Sequence, residues 1–418
     1  FDVAWAGFEA GSKAASGNAL SFFIGDAVLR PYLKATYPNE FPSGVNPWDQ
    51  IAIGGQKNII SWLSLSPRLG AAYDLWGNGK TILRGSFARY TDDLSHREFM
   101  PLNPLYPRHF DFYWKDANGD GRPDVEDEFS PSSLDFRFLS ASFNKKRVAE
   151  EIKPPATTEV SLGVEHVLLG NLTVGLHFLS KNQKNILEDV LYNPDTGEPW
   201  YTAAQAAGQN YWIPFTTTVP GNGFFPDQTI QLYARSKSAP PLFFQLRNVP
   251  ELERKFRSLT FHFQKRMSAG WQLQGSLVLS KAEGNIGGLA EETAGLTAAA
   301  DTPNDFINRY GRLDMDRPVQ LKLMGTFELP FEAALSFLFH YQSGRPWQRW
   351  AQILPPADWC AASNAERNYY AVNLEQAGSR REKAWSSLDL RLEKTWTLGA
   401  SGRAAVYADI VNLLGFKT

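Results

Sequence analysis

The chain has 418 residues, of which 43% are hydrophobic, and its 42 Lys and Arg against 44 Asp and Glu leave a formal net charge of −2. Near-neutral charge gives no electrostatic case for nucleic acid, and no run of about 18 apolar residues exists from which to build a transmembrane helix. The single cysteine, Cys360, cannot form an intrachain disulfide and has no His or Cys cluster beside it for a zinc site, so it reads as an incidental loop residue.

The N-terminal end offers two weak strand candidates, Phe1 to Phe8 and Leu20 to Leu29. Phe1 is preceded by no charged-then-apolar signal segment, as expected of a processed secreted chain or of one that begins inside a longer polypeptide. The first clear hairpin runs from Ser66 through Tyr73, turns at Trp76-Gly77-Asn78-Gly79 and returns from Thr81 to Tyr90. Asn-Gly is a strong turn signal because both residues tolerate positive φ. The second runs from Thr157 to Val167, turns at Leu169-Gly170-Asn171 and returns through Leu172, Val174, Leu176 and Phe178. A weaker strand candidate spans Thr229 to Ala234.

The third hairpin, Arg257 to Ser280, carries the sharpest pattern. Leu259, Phe261 and Phe263 alternate with Ser258, Thr260, His262 and Gln264, and Met267-Ser268-Ala269-Gly270 turns the chain. Leu273, Gly275, Leu277 and Leu279 then alternate with Gln272, Gln274, Ser276 and Ser280, with Val278 the one exception. Strand side chains alternate faces with period two, so each strand has a wet and an apolar surface. Strands of soluble domains usually run about five or six residues, whereas ~9–11 residues match a tilted bilayer crossing. The fourth hairpin runs from Val319 to Leu329, turns at Pro330-Phe331 and returns through Leu335, Phe337, Phe339 and Tyr341. The fifth sets Leu388, Leu390 and Leu392 against Asp389, Arg391 and Glu393, turns near Gly399 to Gly402 and returns through Val406, Ala408 and Ile410.

Between the hairpins lie long segments rich in Pro, Gly, Asn and Asp: Thr91 to Ala156, Leu187 to Gln228, Ala282 to Asp316 and Ser343 to Ala384. Structureless loops of that length are unusual inside a soluble domain. Short turns alternating with long loops are the asymmetry of an all-β, transmembrane, antiparallel up-and-down β-barrel, with short periplasmic turns and long extracellular loops. The mean hydropathy of −0.33 fits, because lumen and loop positions are polar. A soluble domain can bury 28 Phe, 15 Tyr and 13 Trp, but aromatic girdles at two membrane interfaces would also use them. A soluble propeller or β-helix would show a fixed repeat with evenly short connections, which this chain lacks. The wet faces carry Glu159, Glu165, Lys322, Glu328, Asp389, Arg391 and Glu393. Both signs of charge there require water or protein partners rather than lipid, and solvation of the barrel interior is their expected role.

Residues 91–156, the first long loop, contain a segment with its own chemistry, 116–127. Asp116, Asn118, Asp120, Arg122 (through its carbonyl), Asp124 and Asp127, with Gly121 at the sixth position, follow the spacing of a calcium loop. Calcium favours such clustered oxygen ligands on a tightly turning backbone. Position 12 is Asp127 rather than a bidentate Glu and no flanking helices are evident, so a weak, structural, extracellular-type Ca²⁺ site is expected, against an ordinary acidic surface turn. His166, His177, His262 and His340 stand on strands without a second ligand at metal spacing, and Gly284-Asn285-Ile286-Gly287-Gly288 reads as a flexible loop segment rather than a phosphate cradle. Ser343-Gly344-Arg345-Pro346 lacks the flanks of a nucleophile elbow. Tyr113, Trp114, Trp347 and Trp350 are suited to stacking on sugars, with interface anchoring the better reading. No catalytic residue and no enzyme is indicated.

Ser66-Pro67-Arg68-Leu69-Gly70-Ala71-Ala72-Tyr73-Asp74, followed by Gly77-Asn78-Gly79-Lys80-Thr81 and Arg84-Gly85-Ser86-Phe87, resembles a hairpin of TonB-dependent outer-membrane receptors of the Oar-like branch. Thr158 to Glu165, Asp316-Arg317-Pro318, Ser343-Gly344-Arg345-Pro346, Leu388 to Lys394 and Ala408 to Leu414 resemble later segments of the same barrels. The resemblance implies a 22-stranded barrel, about the plugged size class, set in the outer membrane of a Gram-negative-type envelope. It implies uptake of a substrate captured by the long loops and energised by a TonB-type protein through a segment outside this chain. Residues 1–418 would form the barrel domain without its plug. Roughly 12 to 14 legible strands fall short of closure, so an incomplete strand set is expected, with a complete smaller barrel as the alternative. Other readings are a structural or adhesive outer-membrane protein that binds a partner through its loops, and a passive porin. Outer-membrane lipid, the TonB-type protein and an unidentified substrate or surface partner are the expected partners, and nucleic acid is not.

Overall fold

The computed structural model of the chain describes residues 19–23, 62–92, 109–113, 135–141, 146–193, 196–202, 205, 211–236, 244–286, 302–355, 370–399 and 402–415. Ten long strands follow one another in sequence and in space: Arg68–Asp74, Thr81–Thr91, Ala156–Leu169, Leu172–Lys184, Arg254–Ser268, Trp271–Gly284, Val319–Leu329, Ala333–Gln342, Trp385–Thr397 and Arg403–Ile410. Every pair in this path is antiparallel, and the short Gly311–Arg312 strand joins the loop end of Trp271–Gly284. All five sequence-predicted hairpins are present; Val319–Leu329 has the expected limits, while strands such as Ala156–Leu169 and Trp385–Thr397 run past those that alternation alone suggests. The edges of this sheet are Arg68–Asp74 and Arg403–Ile410, which do not pair with each other among the described residues.

The five short connections lie at one end of the sheet and the four long ones at the other. Turn chemistry explains the short end. Ala269 (φ 52°) and Gly270 (φ 79°) are both left-handed, the two-residue hairpin geometry that matches strand twist. In the first turn the Asp74 carboxylate accepts the Gly79 amide at 2.6 Å and the Trp76 amide at 3.4 Å, so the Gly77-Asn78-Gly79 tip is tied down by its own strand.

Register carries the two-faced pattern across the sheet. Phe261 lies between Leu176 and Leu277, and Leu277 faces Leu321. His262, on the other face, lies between Gly175 and Ser276, and Ser276 faces Lys322. The apolar face is left uncovered: Leu162 is 56% exposed, Phe261 43% and Leu392 52%. A soluble protein rarely exposes so continuous an apolar surface, and here it is the face that lipid covers.

The buried core sits elsewhere, in the long connections. Ile186, Val190, Tyr201, Val249, Leu252 and Ile286 form one cluster. Phe215, Ile230, Leu232, Ala234, Ile353, Val372 and Leu374 form a second, and Leu191, Trp200 and Trp212 a third. The described parts of the connections expected to be structureless therefore pack into a layer. Leu187–Leu191 pairs with Phe244–Asn248, which pairs in turn with Lys146–Val148. The Thr229–Ala234 candidate is the strand Gln228–Arg235, but it pairs with Trp212–Val219 outside the main sheet. Ala19–Phe23, which overlaps the start of the Leu20–Leu29 candidate, pairs with His109–Tyr113 within the 91–156 connection, and His109–Tyr113 pairs with Asp135–Ala141. The Phe1–Phe8 candidate lies outside the described residues.

Candidate functional site

Two places concentrate polar chemistry, the wet face of the sheet and the packed layer at its loop end. On the wet face four of the charges predicted from alternation, Glu159, Glu165, Asp389 and Arg391, find partners across the sheet. Glu159 pairs with Lys181 at 2.7 Å, and Glu165 with Arg84 at 2.6 Å and with His262 Nε2 at 3.7 Å. Arg391 holds Asp409 through two hydrogen bonds of 2.7 and 2.8 Å, and Asp389 accepts the Asn412 amide at 2.7 Å. Hydroxyls and amides fill the spaces between, with Thr326 to Ser336 at 3.0 Å and Gln272 Nε2 to Thr326 at 3.4 Å. Toward the short-turn end these groups border a cavity of about 660 Å³, whose polar wall includes Gln264, Gln272, Gln274, Asp389, Arg391 and Asp409. A surface of paired charges, amides and hydroxyls is built to hold water and polar solutes, the property a lumen needs.

The histidines are distributed along the sheet. His166 Nδ1 meets the Thr81 hydroxyl at 2.9 Å, His177 Nε2 meets Ser161 at 3.3 Å, and His340 packs edge-on against Trp385 at 4.8 Å. Among the described residues no group of three or more His, Cys, Asp or Glu converges on one point. The calcium candidates Asp116, Asn118, Asp120, Arg122, Asp124 and Asp127 lie outside the described residues, as do Trp114 and Cys360.

Where the strands leave the membrane, two of the motif segments meet. Asp316 is buried; its Oδ1 accepts the Ala282 amide at 2.7 Å and its Oδ2 accepts Arg381 Nη2 at 2.6 Å. Arg381 Nη1 also donates to the carbonyls of Asp316 and Gly344 at 3.0 and 2.9 Å. The Asp316-Arg317-Pro318 and Ser343-Gly344-Arg345-Pro346 segments are thus stitched together by one guanidinium from a third segment.

Above this junction Glu375 anchors the outer layer. Its carboxylate accepts Arg349 Nε at 2.8 Å, Arg380 Nε at 2.6 Å and Arg380 Nη2 at 2.7 Å. Arg349 reaches on to the Pro226 carbonyl at 3.1 Å and Gln228 Oε1 at 3.2 Å. Both guanidiniums lie over the Phe225 ring, at 4.9 and 4.7 Å, and Arg380 also lies 5.4 Å from the Trp347 ring. The charge-assisted bonds from Arg380, with those from Arg349, hold the Glu375 carboxyl down at about 2. Trp350 and Phe224 project beside this clamp, 60% and 91% exposed. Sequence reasoning singled out Trp347 and Trp350 but missed Glu375, Arg349 and Arg380, whose only signal is a charge of each sign within a Pro- and Trp-rich connection. It also read Gly284 to Gly288 as flexible. Asn285 is instead a buried staple: its Oδ1 accepts the Glu253 amide at 2.9 Å and its Nδ2 donates to the Glu251 carbonyl at 2.6 Å, while Ile286 enters the core.

Comparison with known proteins places this geometry. The TonB-dependent transporter Oar of Myxococcus xanthus is 24% identical over 326 residues, which is 71% of this chain and 27% of that protein. The chain thus spans about a quarter of the length of that relative. Among solved structures, the outer membrane transporter YddB from Escherichia coli is similar with a TM-score of 0.40 and 12% identity, over 82% of this chain and 36% of that one. The ferripyoverdine receptor of Pseudomonas aeruginosa is similar with a TM-score of 0.36 and 10% identity, over 84% of this chain and 29% of that one. Residues 50–348 match the family described as outer membrane beta barrel domain. The chain belongs to that family and is a β-barrel protein of the outer membrane.

Proposed function

We propose that this chain forms wall and outer layer of a transporter that takes up a substrate across the outer membrane, coupled to a TonB-type energising protein through a segment outside residues 1–418. The observation that carries the reading is the division of labour in the sheet: a lipid-facing surface of Leu and Phe, and behind it a face of charges, amides and hydroxyls bordering a cavity of mixed lining. The similarity to the transporter Oar supports it. Substrate would first meet the outer layer, where Phe224, Trp347, Trp350 and Arg380 offer flat rings and a cation in one neighbourhood. It would then pass along the wet face. Segment 116–127 would bind Ca²⁺ and pin the first long connection.

Single-channel recording of the full-length protein in planar bilayers tests the reading. A gated transporter shows no steady conductance and is retained on an immobilised periplasmic domain of a TonB-type protein. A permanently open, ohmic pore that ignores that domain would make the protein a passive porin.

A further inference from the structure

The loop end of the apolar face carries a row of cations that the transport reading does not use. Arg257 lies directly opposite Lys281, between it and Ser180, one lipid-facing step above the Leu259–Leu279 pair. Leu279 faces Val319, and the Ser280 amide donates to the Pro318 carbonyl at 2.9 Å, which carries the register on and sets Lys281 opposite Arg317. Gln320 faces Gln342, and the Ser343 amide donates to Val319 at 2.9 Å, so Arg317 falls opposite Arg345 in the same way. Four neighbouring strands therefore change from apolar to cationic at one height, on the face that meets lipid.

Like charges set opposite each other across strands are destabilising, and little in the protein relieves these. Glu283 pairs with Lys281 at 2.5 Å, and Glu382 acts on Arg317 from nearby. Glu283, Glu382 and Asp316, the last already held by Arg381, thus face four cations. The side chains of Arg257 and Arg345 are exposed and make no hydrogen bond or ion pair among the described residues. Arg317 is half-buried; its Nη1 donates to the carbonyls of Asp314 and Asp316 at 2.8 and 3.0 Å, while its Nε has no partner. Burial and then the adjacent Arg345 guanidinium lower its proton affinity, a sign of how closely the positive charges crowd.

The opposite rim of the apolar band behaves differently. Lys265 there lies 3.9 Å from the Trp271 ring and donates to the carbonyls of Ser268 and Trp271, both at 2.9 Å. Lys394 donates to the Phe331 and Thr395 carbonyls beside Trp396. Cations at the short-turn rim are satisfied within the protein, and at the long-loop rim Lys281 and, in part, Arg317 find partners as well, whereas Arg257 and Arg345 do not.

We propose that Arg257, Lys281, Arg317 and Arg345 bind the phosphates of an anionic lipid headgroup in the leaflet at the long-loop end. Adjacent strands lie about 4.8 Å apart, so the row spans roughly 14 Å, the length of a headgroup carrying two phosphates. Continuity with the apolar band fixes the occupant as a lipid: its acyl chains lie against Leu259, Leu279 and Val319 while its phosphates meet the cations above them. Each Lys or Arg near an anionic surface strengthens binding by about fivefold.

The test titrates diphosphoryl lipid A into the full-length protein in neutral detergent micelles, for the native protein and for R257Q/R345Q. The native protein should bind saturably, the double variant about 25-fold more weakly, and R257K/R345K nearly as well as native. Heat-modifiable electrophoretic mobility reports whether each barrel is folded, and K281Q, with an expected fivefold loss, is read if the double variant is not. Unchanged affinity in the folded variants overturns the proposal. So does equal binding of phosphatidylethanolamine, or displacement of the lipid by about 10 mM inorganic phosphate, which would make the row a free-phosphate site.

Discussion

Replacing Glu375 by Gln should loosen the outer layer without disturbing the barrel. The substitution keeps the shape but leaves Arg349 and Arg380 facing each other over Phe225 with no anion between them. With the carboxyl held near 2 rather than at its ordinary 4.5, the full linkage is about 3 kcal/mol. Glu375 is 16% exposed but Arg380 is 37% exposed, so solvent screening cuts this to roughly 1–2 kcal/mol. A depressed carboxylate stabilises above its unfolded value and loses that contribution as pH falls from about 4.5 toward 2. Hydrogen exchange of the 343–384 connection, read by mass spectrometry, is the assay. At neutral pH E375Q should exchange about ten times faster there while the strand interiors are unchanged. The gap between the two proteins should close as pH falls through that window. Equal protection at neutral pH, or a gap that persists at about pH 2, would refute the clamp.

The remaining predictions use other parts of the molecule. Phe261→Arg, on the lipid face, should cost about 2–4 kcal/mol and reduce folded barrel in the membrane, whereas Thr260→Arg, on the wet face, should be tolerated; urea titration in liposomes compares them. At Gly175 a Cβ would collide with the His262 imidazole, so G175A should lose about 1–3 kcal/mol of stability. H262A in the same chain should restore most of it, and a double variant no better than G175A would show the collision to be irrelevant. For segment 116–127, added calcium should slow proteolysis in the first long connection, and equal cleavage rates in calcium and in chelator would remove the site.

The barrel was legible in the sequence because the two environments of its strands alternate residue by residue, as in Leu259 to Gln264, over lengths that outlast chance. Turn signals at Gly77-Asn78-Gly79 and Ala269-Gly270 then set polarity and register. The outer layer was not legible, for reasons that are equally physical. Leu187–Leu191 is five residues long and buried on both faces, so no alternation marks it. Asn285 looks like part of a Gly-rich loop because its role, satisfying the backbone of Glu251 and Glu253, depends on a contact about 34 residues away in sequence. The Glu375 clamp joins residues from three parts of the chain. The cationic row needs the register of four strands, although Arg317 and Arg345 stood in recognised motif segments.

Single-cysteine scanning of the Arg254–Ser268 strand tests the account's central claim, that one face meets lipid and the other an aqueous lumen. In a Cys360→Ser background, the full-length protein in its native membrane is labelled at positions 259 to 264 in turn. The account predicts that a water-soluble maleimide labels Thr260, His262 and Gln264 positions, and that probes at Leu259, Phe261 and Phe263 are quenched only by a lipid-attached quencher. Uniform water accessibility along the strand, or the opposite alternation, would contradict it.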